Sequence, residues 1–491
     1  MEYRMLIGGE AVAAKSGETF ESVNPYDQQP WARVPRAGPE DVDTAVAAAR
    51  EAFTTGPWPR LTPTERGRLL RNLGDLVASH AEELATLETR DNGKLYSEML
   101  TQLRYIPQWY YYFGGLADKI EGMVHPVDKP DIFNFSHHEP YGVVAAITAW
   151  NSPLLLAAYK LAPALAAGNT VVLKPSEHAS CSTLRFAELF ALAGFPPGVV
   201  NVISGFGPEI GDALTGHPDV AKITFTGSAT TGRRINAVAG QDFKSVTLEL
   251  GGKSPNIVFA DADLDNAANG AIAGILAASG QTCVAGSRLL VEDSIHDAFL
   301  ERVVAIARTA RSGDPMDPAT NIGPVATKAQ YDKIRGYLEI AEAEGAERVL
   351  GGTPDPDPAI GKGWFIEPTI YANVTNAMRI AREEVFGPVL SVIRFRDEDE
   401  AVHIANDTRY GLAAGIWSQN LKRCIELPKR LRAGTVWVNT YRAVSYMTPF
   451  GGFKASGTGK ENGIEAIRQY LQLKSVWLST ADSFSNPFTI R

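Results

Sequence analysis

Cys283 is the side chain in this sequence whose neighbours best suit it to act as a nucleophile. It ends Gly280-Gln281-Thr282-Cys283 and lies between two runs of small residues, Ala277-Ala278-Ser279-Gly280 and Val284-Ala285-Gly286-Ser287. A substrate can reach a thiol in such a setting, and a thiolate is a strong nucleophile. A lone cysteine is more often a buried structural thiol, so its company decides. Upstream, Glu249 closes a predicted strand in Glu249-Leu250-Gly251-Gly252-Lys253. The glycines let backbone approach a ligand or let the carboxylate swing. A partly buried carboxyl has a raised pKa and suits general-base work. Asn151, in Trp150-Asn151-Ser152-Pro153, follows another strand end, and a side-chain amide can help stabilise an oxyanion. Trp150, taken alone, reads as core.

Three further segments could bind a nucleotide. Lys174-Pro175-Ser176-Glu177 ends a strand, and open α/β sheets bind ligands at the carboxyl ends of their strands. The Glu177 carboxylate could accept both hydroxyls of a ribose and repel a 2′-phosphate, and Lys174 could donate to the same ribose. A solvated Lys and Glu on a loop is the plainer reading of that pair alone. Phe225-Thr226-Gly227-Ser228 ends a strand and leads into a helix-like run, whose N-terminus would favour a pyrophosphate. A plain strand-to-helix turn fits it equally. Gly205-Phe206-Gly207-Pro208-Glu209-Ile210-Gly211 also opens a helix but is one residue too long for the standard dinucleotide fingerprint. Gly252-Lys253-Ser254 is similar to the tail of a phosphate-binding loop, yet Thr247 stands where that motif needs glycine. No Gly-x-Ser-x-Gly elbow occurs.

These residues need strand ends to hold them, and the chain alternates strand and helix patterns as an α/β protein does. Strands are predicted at 142–147, 170–174, 199–203, 222–225 and 246–250, joined by helical or polar connections, which implies a parallel, crossover-connected sheet. A second unit begins near Ser254, with a small-residue helix over 264–278 and strands at 287–291, 389–395 and 434–439. Thr62-Pro63-Thr64-Glu65 signals a capped helix whose apolar spacing runs to about Thr89. Isolated strands at 132–139 and 470–478 could pair with each other or with another subunit. Gly351 to Gly363, rich in Pro, Asp and Gly, reads as a surface loop.

Composition narrows the function classes. The chain has 491 residues, 45% hydrophobic and 21% charged, which is ordinary globular composition. Its net charge of −9, with no long basic run, makes nucleic acid and anionic membranes poor partners. No secretory signal or membrane-spanning run is visible. Three cysteines, Cys181, Cys283 and Cys424, imply a reducing compartment, hence a cytoplasmic location, and no spacing suits a metal.

Together, in this order, the segments at Trp150, Lys174, Phe225, Glu249 and Gly280, with Glu383-Glu384-Val385-Phe386-Gly387-Pro388 and Pro449-Phe450-Gly451-Gly452, resemble the aldehyde dehydrogenase superfamily across nearly the whole chain. The resemblance implies a Rossmann-like cofactor domain (1–122 and 140–253), an α/β catalytic domain (254–468) and a small β arm (123–139 and 469–491) that extends a neighbouring subunit's sheet in a homodimer or homotetramer. It implies oxidation of an aldehyde to the acid with NAD, Glu177 disfavouring NADP. Cys283 would form a thiohemiacetal and then a thioester. Asn151 and the Cys283 N–H would form the oxyanion hole, and Glu249 would activate the hydrolytic water. Cofactor contacts are implied at Ile147, Thr148, Trp150, Lys174, Ser176, Glu177, Gly207, Gly211, Phe225, Gly227, Ser228, Leu250, Gln330, Lys333, Glu384 and Phe386. Substrate contacts are implied at Ser152, Tyr159, Thr282, Val284, Arg442, Val444 and Phe450. Ser152 stands where many members carry a bulky aromatic, so the substrate tunnel should be wider or more polar. Arg442 could pair a substrate carboxylate or simply be solvated. A semialdehyde dehydrogenase is one alternative. A coenzyme A-acylating relative, which would generally lack the Glu249 base, and a non-catalytic scaffold are others.

Overall fold

The computed structural model describes residues 1–353, 362–483 and 488. Most of the predicted 351–363 loop and the end of the predicted arm (484–487 and 489–491) lie outside the described residues.

Two mixed sheets dominate. The first runs in the order Gly457–Thr458, Ser245–Glu249, Val220–Thr226, Val143–Ile147, Thr170–Lys174, Val200–Val202, Met5–Ile7, Glu10–Val12. Its five central strands are parallel, and antiparallel strands close each edge. Val143–Ile147 and Thr170–Lys174 are buried along their whole length, as strands covered on both faces must be. Alternation sorts their side chains: Val144, Ala146, Val171 and Leu173 join a core containing Trp58 and Trp109, while Val143, Ala145, Ile147 and Val172 join one containing Val42 and Val46. The chain builds outward from Val143–Ile147 on one side, then returns to add Val220–Thr226 on the other. That reversal makes a crevice at the strand carboxyl ends, the usual ligand position in such sheets.

The second sheet runs Glu347–Leu350, Thr369–Ala372, Val389–Phe395, Arg288–Glu292, Pro255–Val258, Ala413–Trp417, Thr435–Val438, all parallel except the first pair. Its order also reverses, between Pro255–Val258 and Ala413–Trp417. A three-stranded sheet joins Met123–His125, Ile132–Pro140 and Leu471–Ser479, so the two stray strands pair with each other, from Leu471 opposite Pro140 to Ser479 opposite Ile132.

Several expectations needed correction. The helix expected from Thr62 to Thr89 is two helices, Pro63–Ser79 and Ala81–Asn92, because His80 leaves helical geometry (φ −105°, ψ 11°). Its start is as predicted: Thr62 Oγ1 accepts from the Glu65 N–H and Glu65 accepts from the Thr62 N–H, a cap worth about 1 kcal/mol. The helix ahead of Cys283 stops at Leu276, since Ala278 and Ser279 are left-handed (φ 55° and 51°). Strands Pro255–Val258, Thr369–Ala372 and Ala413–Trp417 were not foreseen. Near the end of the chain, Gly457–Thr458 pairs with Leu248 and Glu249 at the edge of the first sheet, and Ala466 and Ile467 enter the first core. Among the described residues, no helix is long and apolar enough to cross a membrane.

Candidate active site

Ser245–Glu249 delivers Glu249 to its carboxyl end, and the left-handed run before Arg288–Glu292 delivers Cys283 opposite it. Both line one cavity of about 150 Å³, together with Asn151, Glu384, Phe386, Gln330 and Lys333. Sequence-distant segments thus meet at the place where the two sheets' strand ends face each other.

The glycines after Glu249 act by their lack of a side chain. A Cβ on Gly251 would lie 2.3 Å from the Glu384 carboxylate, and one on Gly252 would lie 2.5 Å from the Cys283 carbonyl. They admit Glu384 and the Cys283 backbone, and the Gly252 N–H donates to Glu384 Oε1 at 3.0 Å. Gly280 is left-handed (φ 70°) and its missing Cβ leaves room for the Gly387 carbonyl, 2.1 Å from where that atom would stand.

Cys283 is half-buried. Burial, then the carboxylates of Glu249 and Glu384, push its pKa up to about 12, while the N–H groups of Cys283 and Val284 oppose that and favour the thiolate. Glu249 is 4% exposed, and neither of its carboxyl oxygens has a hydrogen-bond partner. Burial and the nearby Glu461 raise its pKa well above the ordinary range, against Lys160 and Lys460. An unpartnered carboxyl of this kind is free to bond a water or a reacting group. Asn151 Nδ2 donates one hydrogen to the Gln281 carbonyl at 3.0 Å, which fixes the amide plane and leaves its second hydrogen available.

Beneath Glu249 lies an ion pair that sequence reasoning missed. Lys160 Nζ donates to Glu461 Oε1 at 2.5 Å and to Thr226 Oγ1 at 2.7 Å, with both charged side chains essentially unexposed. The signal was present: Lys160 interrupts the apolar run from Leu154 to Ala167, and a lysine inside an apolar helix needs a buried partner.

A groove of about 350 Å³ lies over the first sheet's crevice. Its walls include Ile147, Thr148, Trp150, Lys174, Ser176, Glu177, Gly207, Gly211, Phe225, Gly227 and Ser228. Two helices, Gly207–Thr215 and Ala229–Gln241, begin at this groove, so two helix N-termini offer N–H groups to an anion. Lys174 Nζ lies 3.5 Å from Glu177 Oε2. Burial opposes ionisation of Glu177, but Lys174 and backbone N–H groups hold its pKa below the ordinary value. A charged acceptor beside a donor suits a ribose diol, and the paired helix starts suit a pyrophosphate. The inner cavity shares Trp150, Thr226, Gly227 and Ser228 with this groove, so a dinucleotide laid along it would reach Cys283.

Other expected contacts stand as follows. Trp150 is only half-buried and meets Phe386 edge-on at 5.4 Å, which corrects its reading as core. Phe386 is left-handed (φ 61°), and Gln330 Nε2 holds that turn by donating to the Val385 and Phe386 carbonyls at 2.8 and 3.0 Å. Ser228 Oγ caps its helix by accepting from the Thr231 N–H. Leu250 lines the inner cavity.

A separate cavity of about 620 Å³ lies across the 150–152 loop. It is lined by Lys94, Glu98, Gln102, Tyr105, Trp109, Leu155, Ala278, Arg442 and Val444, among others. Ser152 sits behind it, accepting from Lys94 Nζ at 3.0 Å. The space a bulky residue at 152 would fill is thus bounded by a lysine. Tyr159 stacks on Trp109 at 5.2 Å and meets Phe450 at 6.2 Å. Val284 is buried with Leu412, Ala413 and Trp437, and the Thr282 hydroxyl is buried without a partner.

The chain's likeness to known proteins agrees with this arrangement. The aldehyde dehydrogenase family model matches residues 12–476. A (Z)-2-((N-methylformamido)methylene)-5-hydroxybutyrolactone dehydrogenase of Acinetobacter baylyi is 48% identical over 96% of this chain and 96% of its own. Aldehyde dehydrogenase 1 of Tanacetum cinerariifolium is 45% identical over 99% of this chain and 96% of its own. Among solved structures, betaine aldehyde dehydrogenase from Staphylococcus aureus in complex with NAD+ superposes with a TM-score of 0.97 at 40% identity, covering 99% of this chain and 97% of that one. An NAD+ complex of an aldehyde dehydrogenase from Bacillus cereus gives 0.96 at 44% identity, covering 98% and 97%.

Proposed function

The chain belongs to the aldehyde dehydrogenase family, and we propose on that footing that Cys283 is its nucleophile, Glu249 its general base and Asn151 its oxyanion donor. The protein is an NAD-dependent oxidoreductase that converts an aldehyde to the carboxylic acid. The observation that carries the assignment is the single cavity that brings Cys283, Glu249, Asn151 and Glu384 together beside the nucleotide-shaped groove.

The Cys283 thiol gives its proton to solvent or to the Glu249 carboxylate in the same cavity, and the sulfur, its negative charge favoured by the N–H groups of Cys283 and Val284, adds to the aldehyde carbon. The free Nδ2 hydrogen of Asn151 meets the oxyanion of the resulting thiohemiacetal. NAD, when bound, supplies the hydride acceptor, and a thioester on Cys283 remains. Glu249 then takes a proton from water, which attacks the thioester and releases the acid and the thiol. Lys174 and Glu177 would hold the adenosine ribose, the helix starts at Gly207 and Ser228 the pyrophosphate, and Glu384 the nicotinamide ribose. The buried, unpartnered Glu249 supports hydrolysis over transfer to coenzyme A and over a scaffold without catalysis.

The substrate we propose is an aldehyde that bears a carboxylate. Arg442 is held in a left-handed turn (φ 65°), and its guanidinium donates to the Ala273 carbonyl at 3.2 Å while lining the outer cavity. A 5-hydroxybutyrolactone, the compound class in the name of the Acinetobacter relative, is the closed form of a γ-oxo acid, which is an aldehyde carrying a carboxylate. A panel of aliphatic, aromatic and carboxylate-bearing aldehydes tests the proposal by kcat/KM. The carboxylate-bearing members should lead, and Arg442→Leu should lower their kcat/KM roughly 10- to 100-fold through KM. A simple alkyl aldehyde leading the panel, unaffected by Arg442→Leu, would contradict it.

The remaining expectations extend this reading. We place the cofactor unit at 1–122 and 140–253, the catalytic unit at 254–468, and the arm at 123–139 and 469–491. Leu473, Trp477 and Leu478 are exposed on the arm's edge strand, which supports a homodimer or homotetramer built through it. Three free cysteines support a reducing, cytoplasmic setting.

A further inference from the structure

The segment from Glu88 to Glu98 touches both loops of the reaction centre, and the chemistry above makes no use of it. It starts in the last turn of Ala81–Asn92, reverses at Gly93 (φ 75°) and enters Tyr96–Tyr105. Its first half grips the loop that carries Asn151. Asn92 Nδ2 donates to the Trp150 carbonyl at 3.2 Å, Lys94 Nζ donates to the Asn151 carbonyl at 2.8 Å and to Ser152 Oγ at 3.0 Å, and Glu88 Oε1 accepts from the Leu154 N–H at 2.8 Å. Its second half grips the loop that carries Cys283: Glu98 Oε1 accepts from the Ala278 N–H at 2.8 Å.

Both loops need outside support. Thr148 still donates its N–H to the Lys174 carbonyl at 3.1 Å, but residues 149–152 lie beyond the strand and before the helix. Ala278 and Ser279 are left-handed without being glycine, a conformation that persists only where surroundings hold it. Ser279 Oγ donates to the Gly323 carbonyl at 2.9 Å, and Gly323 itself packs on the same turn, since a Cβ there would lie 2.3 Å from the Gly93 carbonyl.

We infer that Lys94 is a positioning residue, which holds the Asn151 backbone so that the Asn151 amide stands where the oxyanion forms over Cys283. Lys94 is 5% exposed. An ammonium is costly to bury unless its hydrogens are taken up, and two of the three go to adjacent residues of one loop. With one side of the amide fixed to Gln281 and the backbone fixed by Lys94, the donor is in place before charge develops, which is what electrostatic catalysis requires. The inference rests on the assignment of Asn151 as the oxyanion donor.

A double-mutant cycle tests it: wild type, Lys94→Met, Asn151→Ala and the pair, each assayed with NAD and two aldehydes, one carboxylate-bearing and one neutral. Lys94→Met should lower kcat roughly 30-fold for both aldehydes with KM within about twofold. In the Asn151→Ala background the same change should cost less than about threefold, because the group it acts through is gone. Lys94→Gln, which keeps a donor, should recover part of kcat, and it replaces Lys94→Met in the cycle if that variant does not fold. Equal losses in both backgrounds overturn the inference. So does a loss carried by KM and confined to the carboxylate-bearing aldehyde, which would make Lys94 a substrate contact. Asn151→Ala with unchanged turnover would sink the assignment of Asn151 as well, whereas an impaired Asn151→Ala with additive losses sinks only the role of Lys94.

Discussion

The cofactor groove with the inner cavity and the separate outer cavity are built by different means. The cofactor side uses strand ends, helix starts and glycine-lined backbone: Lys174 and Glu177 at one strand end, Gly227 and Ser228 at another, and Glu384 against Gly251 and Gly252. The outer side uses side chains from two helices and two loops: Gln102 and Tyr105, Trp109, Lys94 from the turn before them, and Arg442 and Val444. Backbone-built sites are tied to the fold and leave short signatures in sequence. Side-chain-built sites can change residue by residue while the fold stays. The difference fits the proposed roles, general chemistry on the first side and choice of aldehyde on the second.

Changes confined to one side should leave the other side's selectivity intact. The largest such effect concerns pH. Burial raises the Glu249 pKa, so the carboxylate proposed to activate water fills only as pH climbs beyond the ordinary glutamate range. Thioester hydrolysis, followed in single turnovers, should therefore rise about tenfold per pH unit before levelling off. The ratio of kcat/KM between carboxylate-bearing and neutral aldehydes should change much less, since Glu249 lines the inner cavity and Arg442 the outer one. A substrate ratio that follows the same titration curve would break the separation.

A smaller effect sharpens it. Glu177→Gln removes the charge that opposes a 2′-phosphate, so kcat/KM for NADP relative to NAD should improve roughly five- to tenfold, as expected for about 1 kcal/mol of repulsion. The ranking of aldehydes should not move. A changed aldehyde ranking in Glu177→Gln would show that the two sides communicate.

The same difference explains what the sequence disclosed. Glu249, Asn151, Lys174 and Glu177 sit at or just past strand ends beside glycine, proline or a helix start, and Cys283 lies between two runs of small residues, so their setting was legible from local pattern. The predicted strand Thr170–Lys174 matched its bounds because a buried parallel strand is a continuous apolar run. Pro255–Val258 escaped because proline and asparagine open it and its burial depends on neighbours that arrive much later in the chain. Lys94 and Gln102 escaped for a related reason: a lysine in a turn and a glutamine on a helix look solvated until the fold turns them inward. Glu461 gave no sign of pairing with Lys160, since the two are far apart in the chain and meet only when Gly457–Thr458 crosses back to the first sheet. The split at His80 came from one residue's backbone angles, which periodicity does not register.

The division of labour between Cys283 and Glu249 can be tested most directly by trapping the thioester. Glu249→Gln, mixed rapidly with NAD and a good aldehyde, should release NADH in a burst of about one per subunit and then turn over slowly, with the acyl group found by mass spectrometry on the peptide containing Cys283. Cys283→Ala should show neither burst nor adduct. An Glu249→Gln enzyme that turns over at the wild-type rate, or an acyl group on any other residue, would contradict the account.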